Sequence, residues 1–264
     1  MSIPVYLVDA FTQAPFGGNP AAVCLLDGVR PAGWMQAVAA EMNQAETAFV
    51  CRAPGSHEWS LRWFTPRVEV DLCGHATLAA AHVLWQSGQA ADDALAFATR
   101  SGRLVARREG GSICLDFPED APAEAEASPQ LARALGRRPV WVGRGRTTCV
   151  AVLENERQVR AVDPDPAALM ALDAELCIVT ARSDGPAFDF VSRVFAPRVG
   201  IAEDAVTGAA HCTLGPYWGA RLGKSEMCAF QASPRGGIVG VRLAGARVRL
   251  IGQAVTVFQG VLYV

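Results

Sequence analysis

Three short stretches of this chain carry the side chains best suited to chemistry. Cys73 and His75 open the run Cys73-Gly74-His75-Ala76-Thr77-Leu78-Ala79-Ala80-Ala81. Asp204 leads into Thr207-Gly208-Ala209-Ala210-His211. Both runs have the small residues of a buried helix, and a helix N-terminus offers unpaired N–H groups to an anion. The amides of Gly74, His75 and Ala76, and those of Thr207, Gly208 and Ala209, suit a substrate carboxylate or a developing oxyanion or enolate. Small residues let the backbone approach closely. The third stretch holds Glu46, in an apolar run after a helical segment and before a strand. Partial desolvation there raises a carboxyl pKa and suits it to proton exchange near neutrality.

Each side chain also has a plainer reading. Glu46 can cap a local turn, and the residues alone favour that. His75 can be a packed imidazole satisfied by backbone. The helix dipole disfavours its imidazolium, so a neutral donor or acceptor is expected. Asp204 can hydrogen-bond a polar substrate group, share a proton with Glu46, or serve as a helix N-cap. Cys73 reads as a structural or substrate-adjacent thiol, although a helix N-terminus lowers a thiol pKa. His82 and His211 lie deeper in helices, as core residues or ones that support a site. No His/Cys/Asp cluster has metal-ligand spacing in the sequence.

The elements that must position these groups occur twice. Arg62-Trp63-Phe64-Thr65-Pro66-Arg67-Val68 is echoed by Arg193-Val194-Phe195-Ala196-Pro197-Arg198-Val199, at an offset of 193 − 62 = 131 in a chain of 264 residues. A repeat of half the chain means two similar domains. A constant offset sets Cys73 opposite Asp204, with two helix N-termini facing across a domain cleft. Strands are expected at Val5–Val8, Ala21–Leu26, Thr47–Cys51, Leu61–Phe64, Leu95–Thr99, Arg103–Arg108 and Ser112–Phe117. Helices are expected at Trp34–Met42 and Ala76–Trp85. Residues 118–128 form an acidic, proline-containing link, and Ser128-Pro129 reads as a helix start. The second half repeats the alternation: strands at Thr148–Leu153, Leu176–Thr180 and Phe188–Phe195, and helices at Ala167–Leu172 and from Thr207. A hairpin follows at Val239–Ile251. The expected domains are 1–120 and 121–255, with a last strand, Thr256–Val264, returning to the first. The fold class is α+β, each domain a mixed, mostly antiparallel sheet around a central helix. No glycine-rich dinucleotide or P-loop pattern occurs.

The chain is 51% apolar and 19% charged with a formal charge of −2, which fits cores and argues against a nucleic-acid binder. Its start lacks the pattern of a signal peptide, and no apolar stretch reaches membrane-span length. The eight cysteines are scattered, without a Cys-x-x-Cys pair, as in a reduced cytoplasmic protein.

Taken together, several motifs resemble the phenazine-biosynthesis PhzF-like family, which shares its fold with diaminopimelate epimerase. They are Asp9-Ala10-Phe11-Thr12 with Phe16-Gly17-Gly18-Asn19-Pro20; Asn43-Gln44-Ala45-Glu46-Thr47; Cys73-Gly74-His75-Ala76-Thr77; Ser192-Arg193-Val194-Phe195-Ala196-Pro197; Glu203 to His211; and Gln231-Ala232-Ser233-Pro234-Arg235-Gly236-Gly237. The resemblance implies an active site between two pseudo-symmetric domains, no cofactor, no metal, and a homodimer. It implies isomerisation of a small carboxylated metabolite such as trans-2,3-dihydro-3-hydroxyanthranilate, with Glu46 as acid/base. His75 and Asp204 act beside it. Asn19, Cys73, Gly74, Ala76, Thr207, Gly208 and Ala209 line the substrate. The family commonly has Pro at Ala205 and Ser at Ala209. An epimerase or racemase, and a non-catalytic metabolite-binding protein, are the alternatives. The related epimerases use one cysteine from each domain, and here the second position is expected to be Asp204.

Overall fold

Alanine-rich segments with no polar stripe must be buried on all sides to be stable as helices. Two such helices organise the computed structural model, which describes every residue except Met1, Pro54 and Val264. The chain divides into two compact units, residues 1–116 with 251–264 and residues 117–250.

In the first unit, β1 (Ser2–Ala10), β2 (Asn19–Leu25), β3 (Glu46–Arg52), β4 (Trp59–Phe64), β5 (Glu69–Val70), β6 (Ala94–Thr99), β7 (Gly102–Glu109) and β8 (Ser112–Pro118) follow in chain order. Helix α1 (Ala32–Met42) lies between β2 and β3, and α2 (Gly74–Gln86) between β5 and β6. The pairings run β1–β2 antiparallel, β2–β3 parallel, β3–β4 antiparallel, β4–β6 parallel and β6–β7 antiparallel. Nine of the thirteen residues of α2 are buried, four of them alanines beside Leu78, Val83 and Leu84, so the sheet can close on its backbone. The opposite face of the sheet carries α1, with Met35 and Val38 packed on Ile3, Val5, Phe49 and Phe64.

The second unit repeats this order. After the short β9 (Ala123–Glu124) and α3 (Pro129–Leu135) come β10 (Trp141–Arg144) and β11 (Thr148–Val152). Then follow α4 (Glu156–Arg160), α5 (Pro166–Met170), β12 (Leu176–Arg182) and β13 (Phe190–Ala196). A 3₁₀ turn at Pro197–Val199 precedes β14 (Ile201–Asp204), and α6 (Gly208–Leu222), β15 (Glu226–Gln231), β16 (Gly237–Ala244) and β17 (Arg247–Gly252) complete the unit. Its pairings are again antiparallel, parallel, antiparallel, parallel and antiparallel through β10–β11, β11–β12, β12–β13, β13–β15 and β15–β16. Three short helices, α3, α4 and α5, replace α1 over the outer core, where Leu135, Val159 and Leu169 meet Val179 and Phe195. As expected from Ser128-Pro129, the Ser128 side chain caps α3 by accepting from the Leu131 amide.

Helix α6 is the counterpart of α2 and is less regular. Pro216 sits inside it and has no N–H to give to the Cys212 carbonyl. That carbonyl instead accepts from the Asp120 amide at 3.2 Å. Gly215 and Gly219 form a flat face against β16. A Cβ at Gly219 would stand 2.9 Å from the Lys224 backbone carbonyl oxygen, so only glycine fits there.

The final strand, β18 (Ala254–Tyr263), pairs antiparallel with β1 from Ser2↔Tyr263 to Ala10↔Ala254, within the first unit. Val264, the expected last residue of this strand, lies outside the described residues. Among the described residues no helix is long and apolar enough to cross a membrane.

Candidate active site

Helix α1 ends at Asn43, whose left-handed backbone turns the chain into β3. Glu46 is the first residue of β3 and pairs in parallel register with Ala21 of β2. Asn19 opens β2 two residues earlier, so Asn19, Ala21 and Glu46 point to one face of the sheet. Gly18, at φ +62°, makes the entry to Asn19 possible, because a Cβ there would lie 2.1 Å from the Ala10 carbonyl oxygen. Thr47 and Phe49 alternate to the other face, where Phe49 joins the α1 core.

Helix α2 starts on the Glu46 face. Cys73 is its N-cap residue and His75 lies in its first turn. The imidazole of His75 is buried among three of the residues singled out from the sequence. Asn19 Nδ2 approaches Nδ1 at 3.2 Å, and Cys73 Sγ approaches the same nitrogen at 3.5 Å. The Glu46 carboxylate stands on the other side, with Oε2 3.1 Å from Nε2. The Asn19 amide donates to Nδ1, so in its neutral form the ring carries its proton on Nε2, facing Glu46.

The 3.1 Å contact lacks hydrogen-bond alignment: Glu46 Oε2 and His75 Nε2 are both buried and neither has a well-directed partner. Leaving two such atoms unsatisfied costs about 1–3 kcal/mol each. Functional sites are where such a cost persists.

The electrostatics differ from the sequence expectation at two residues. Burial opposes a charge on His75, but the Cys73 sulfur and the Glu46 carboxylate outweigh it and raise its pKa well above 6.5. The helix dipole therefore does not decide the matter, and the ring has a strong affinity for a second proton. Cys73 goes the other way from the low-pKa thiol a helix N-terminus suggests. Burial, reinforced by the Glu46 carboxylate, raises its pKa. Cys73 is thus a thiol at neutral pH.

Glu46, Cys73 and His75 also bring one potential ligand atom each within 4.8 Å of one another, a proximity their sequence spacing conceals. The ring's two nitrogens face opposite ways, Nδ1 to Asn19 and Cys73 and Nε2 to Glu46. An ion held on one nitrogen would be turned away from the group on the other. This donor set fits proton exchange better than cation binding.

In the second unit the N-cap of α6 is Thr207, not Asp204. The Thr207 hydroxyl donates to Asp204 Oδ2 at 2.6 Å, so the carboxylate serves the helix start indirectly. Gly208 is buried and Ala209 exposed in the first turn. The constant offset of 131 fails here for a physical reason. Arg62 forms a bidentate pair with Glu69, at 2.7 and 2.8 Å, and Arg193 forms the same pair with Glu203, at 2.7 and 2.8 Å. The arginines are 131 apart but the glutamates are 203 − 69 = 134 apart. The 3₁₀ turn at Pro197–Val199, closed by Gly200 at φ +87°, takes up the three extra residues. Beyond it Cys73 corresponds to Thr207 (207 − 73 = 134) and Thr77 to His211 (211 − 77 = 134). Thr77 Oγ1 donates to the Cys73 carbonyl at 2.5 Å, and His211 Nδ1 contacts the Thr207 carbonyl at 2.8 Å, each reaching back to its own N-cap.

Sequence reasoning missed one residue here. Gln231, fully buried at the end of β15, receives the Thr207 amide on Oε1 at 2.9 Å. It was visible only as the first letter of Gln231-Ala232-Ser233-Pro234-Arg235-Gly236-Gly237.

A mixed α+β fold of two like units is the architecture of the diaminopimelate epimerase-like proteins. The chain belongs to the phenazine biosynthesis-like protein family, whose model matches residues 8–260. It is 48% identical over 264 residues to an uncharacterized isomerase of Halalkalibacterium halodurans, covering 99% of both chains. The crystal structure of a phenazine biosynthesis PhzF family protein from Enterococcus faecalis superposes with a TM-score of 0.96 at 42% identity, covering 100% of both chains. A predicted epimerase from Pseudomonas aeruginosa shares the fold, with a TM-score of 0.75 at 19% identity and coverage of 99% of both chains.

Proposed function

We propose that this protein is a cofactor-independent isomerase of a small carboxylated metabolite, with Glu46 as the proton-transferring group. The observation that carries this is the buried contact of Glu46 Oε2 and His75 Nε2, 3.1 Å apart and each without a well-directed hydrogen bond. Glu46 takes a proton from an activated carbon and returns it elsewhere on the same face of the molecule. His75, oriented by Asn19, donates through Nε2 either to Glu46 or to a substrate oxygen that gains charge. A positioned acid/base of this kind contributes about 10²- to 10⁴-fold to rate. Cys73, held as a thiol, lines the site. Asp204 keeps the catalytic role, and Thr207, Gly208 and Ala209 the substrate-binding role, that the family resemblance implies.

The relative from H. halodurans is named an isomerase, which supports the reaction class. An epimerase working through paired thiols is disfavoured, because Cys73 corresponds to Thr207 and Glu46 to Leu176 in the second repeat. The test is incubation with trans-2,3-dihydro-3-hydroxyanthranilate in D₂O followed by NMR, beside the Glu46→Gln variant. Wild-type conversion that the variant loses is the expected result. Equal conversion by both proteins would remove Glu46 from the mechanism.

A further inference from the structure

The hairpin from β1 to β2 is longer than its counterpart from β10 to β11. Strand pairing ends at Ala10↔Asn19 in the first repeat and at Arg144↔Cys149 in the second, so residues 11–18 connect one pair of strands and residues 145–148 the other. The longer loop leads into Asn19, in the repeat that holds Glu46 and His75.

Two phenylalanines of this loop have left-handed backbones, Phe11 at φ +62° and Phe16 at φ +70°. That conformation is costly for a bulky side chain. Burial offsets the cost at Phe11. Its ring is fully buried and lies so close to Gly252 that a Cβ there would stand 2.4 Å from Cδ1. Phe16 gains no such burial, since it is 79% exposed. Its backbone is pinned all the same. The Phe16 amide donates to Asp9 Oδ2 at 2.7 Å, and Asp9 is buried. The start of the loop is tied as well, where the Phe11 and Thr12 amides donate to the Gln253 carbonyl at 2.7 and 3.2 Å. The fold therefore holds an apolar ring in water on a strained backbone, and strain of this kind persists at ligand clamps and active sites.

Phe16 stands three residues before Asn19, no more than about 11 Å along the chain. Asn19 Nδ2 is itself 3.2 Å from His75 Nδ1. The ring is thus within reach of a molecule bound beside Glu46 and His75.

We propose that Phe16 is a specificity residue that recognises a flat apolar frame attached to the substrate carboxylate. On binding, its ring leaves water and lies against that frame. This rests on the reading of Glu46 and His75 as the proton-transfer site for a small carboxylate.

The test is NMR titration of protein with ¹³C-labelled phenylalanine and histidine rings, using benzoate and acetate as probes. Phe16→Gly removes the ring and suits the left-handed backbone. The phenylalanine signal missing from it identifies Phe16, and the histidine signal missing from His75→Asn identifies His75. Benzoate is expected to shift both signals. Phe16→Gly is expected to weaken benzoate binding about 10-fold and acetate binding by no more than about twofold. If benzoate shifts His75 but leaves Phe16 unmoved, or binds Phe16→Gly as tightly as wild type, the proposal is overturned and the Glu46–His75 reading stands. A benzoate shift at Phe16 alone also overturns it, because the ring then answers to a separate surface spot. If neither probe moves His75, the carboxylate reading of the site fails and the Phe16 assignment falls with it. Should Phe16→Gly not fold, Phe16→Asn, a residue that also accepts this backbone, carries the comparison.

Discussion

The entrances to α2 and α6 occupy the same place in the two repeats and hold opposite chemistry. At α2 the N-cap is a buried thiol, the first turn carries His75, and a carboxylate arrives from the neighbouring strand as Glu46. At α6 the N-cap is Thr207, the position of His75 is Ala209, and Leu176 stands where Glu46 does. The carboxylate there comes instead from the end of β14, ahead of the helix, as Asp204. The buried histidines differ accordingly. His75 has a carboxylate beside it, which raises its pKa. His211, one turn into α6, has only a backbone carbonyl, and burial lowers its pKa to about 4. The two repeats thus share their arginine–glutamate brace and their strand order, while the carboxylate–imidazole contact of Glu46 and His75 lies in the first.

The largest effect that would break this comparison is at Glu46. Glu46→Gln should lower the rate of deuterium exchange into substrate by about 10²- to 10⁴-fold, measured by NMR. Leu176→Ala should leave that rate within a small factor of wild type.

The shared brace can be broken separately in each repeat. Arg193 adds backbone carbonyls, including Val162 O at 2.6 Å, to its pair with Glu203 and is only 12% exposed. Arg193→Ala should cost about 3–5 kcal/mol in urea unfolding, because it strands a part-buried carboxylate that no second arginine among the described residues holds and removes the bonds to the carbonyls. Arg62 is 25% exposed, and Arg100 also holds Glu69 at 2.9 Å. Arg62→Ala should therefore cost less, about 1–3 kcal/mol.

The two histidines predict opposite pH trends. Between pH 6.5 and about 4 the unfolded chain takes a proton at His211 that the folded chain refuses, so stability falls as pH drops. The difference is about 3 kcal/mol, and His211→Asn should flatten that part of the urea-midpoint profile. His75 has the reverse sign. Its raised folded pKa contributes stability that is fully present below 6.5 and is lost as pH rises through the folded value. The smallest effect is expected at Ala209, where Ala209→Ser should lower KM for a phenazine-type substrate by a few-fold, about the worth of one hydrogen bond.

Much of the frame was legible because its signals are local. Alanine-rich runs and the Ser128-Pro129 start each fix an element without tertiary information. The repeat was legible because Arg, Phe and Pro recur at one spacing. Its register past Pro197 was not, since a 3₁₀ turn closed by a left-handed glycine adds three residues without a distinctive composition. That shift moved the expected N-cap from Thr207 to Asp204. The clustering of Glu46, Cys73, His75 and Asn19 depends on strand register across residues 19 to 75, which no local pattern encodes. The charge preference of His75 was misjudged because a helix dipole is visible in sequence and a neighbouring carboxylate on another strand is not.

The pairing of β18 with β1 has a consequence for how the protein is made. Ser2 finds Tyr263 only after nearly the whole chain has left the ribosome. The second unit is one unbroken segment, 117–250, and the first is split around it. During synthesis the later-made unit can therefore finish folding while the earlier one still waits for its last strand. The exposed edge of β1 is then the part of the nascent chain most in need of protection from pairing with a stranger.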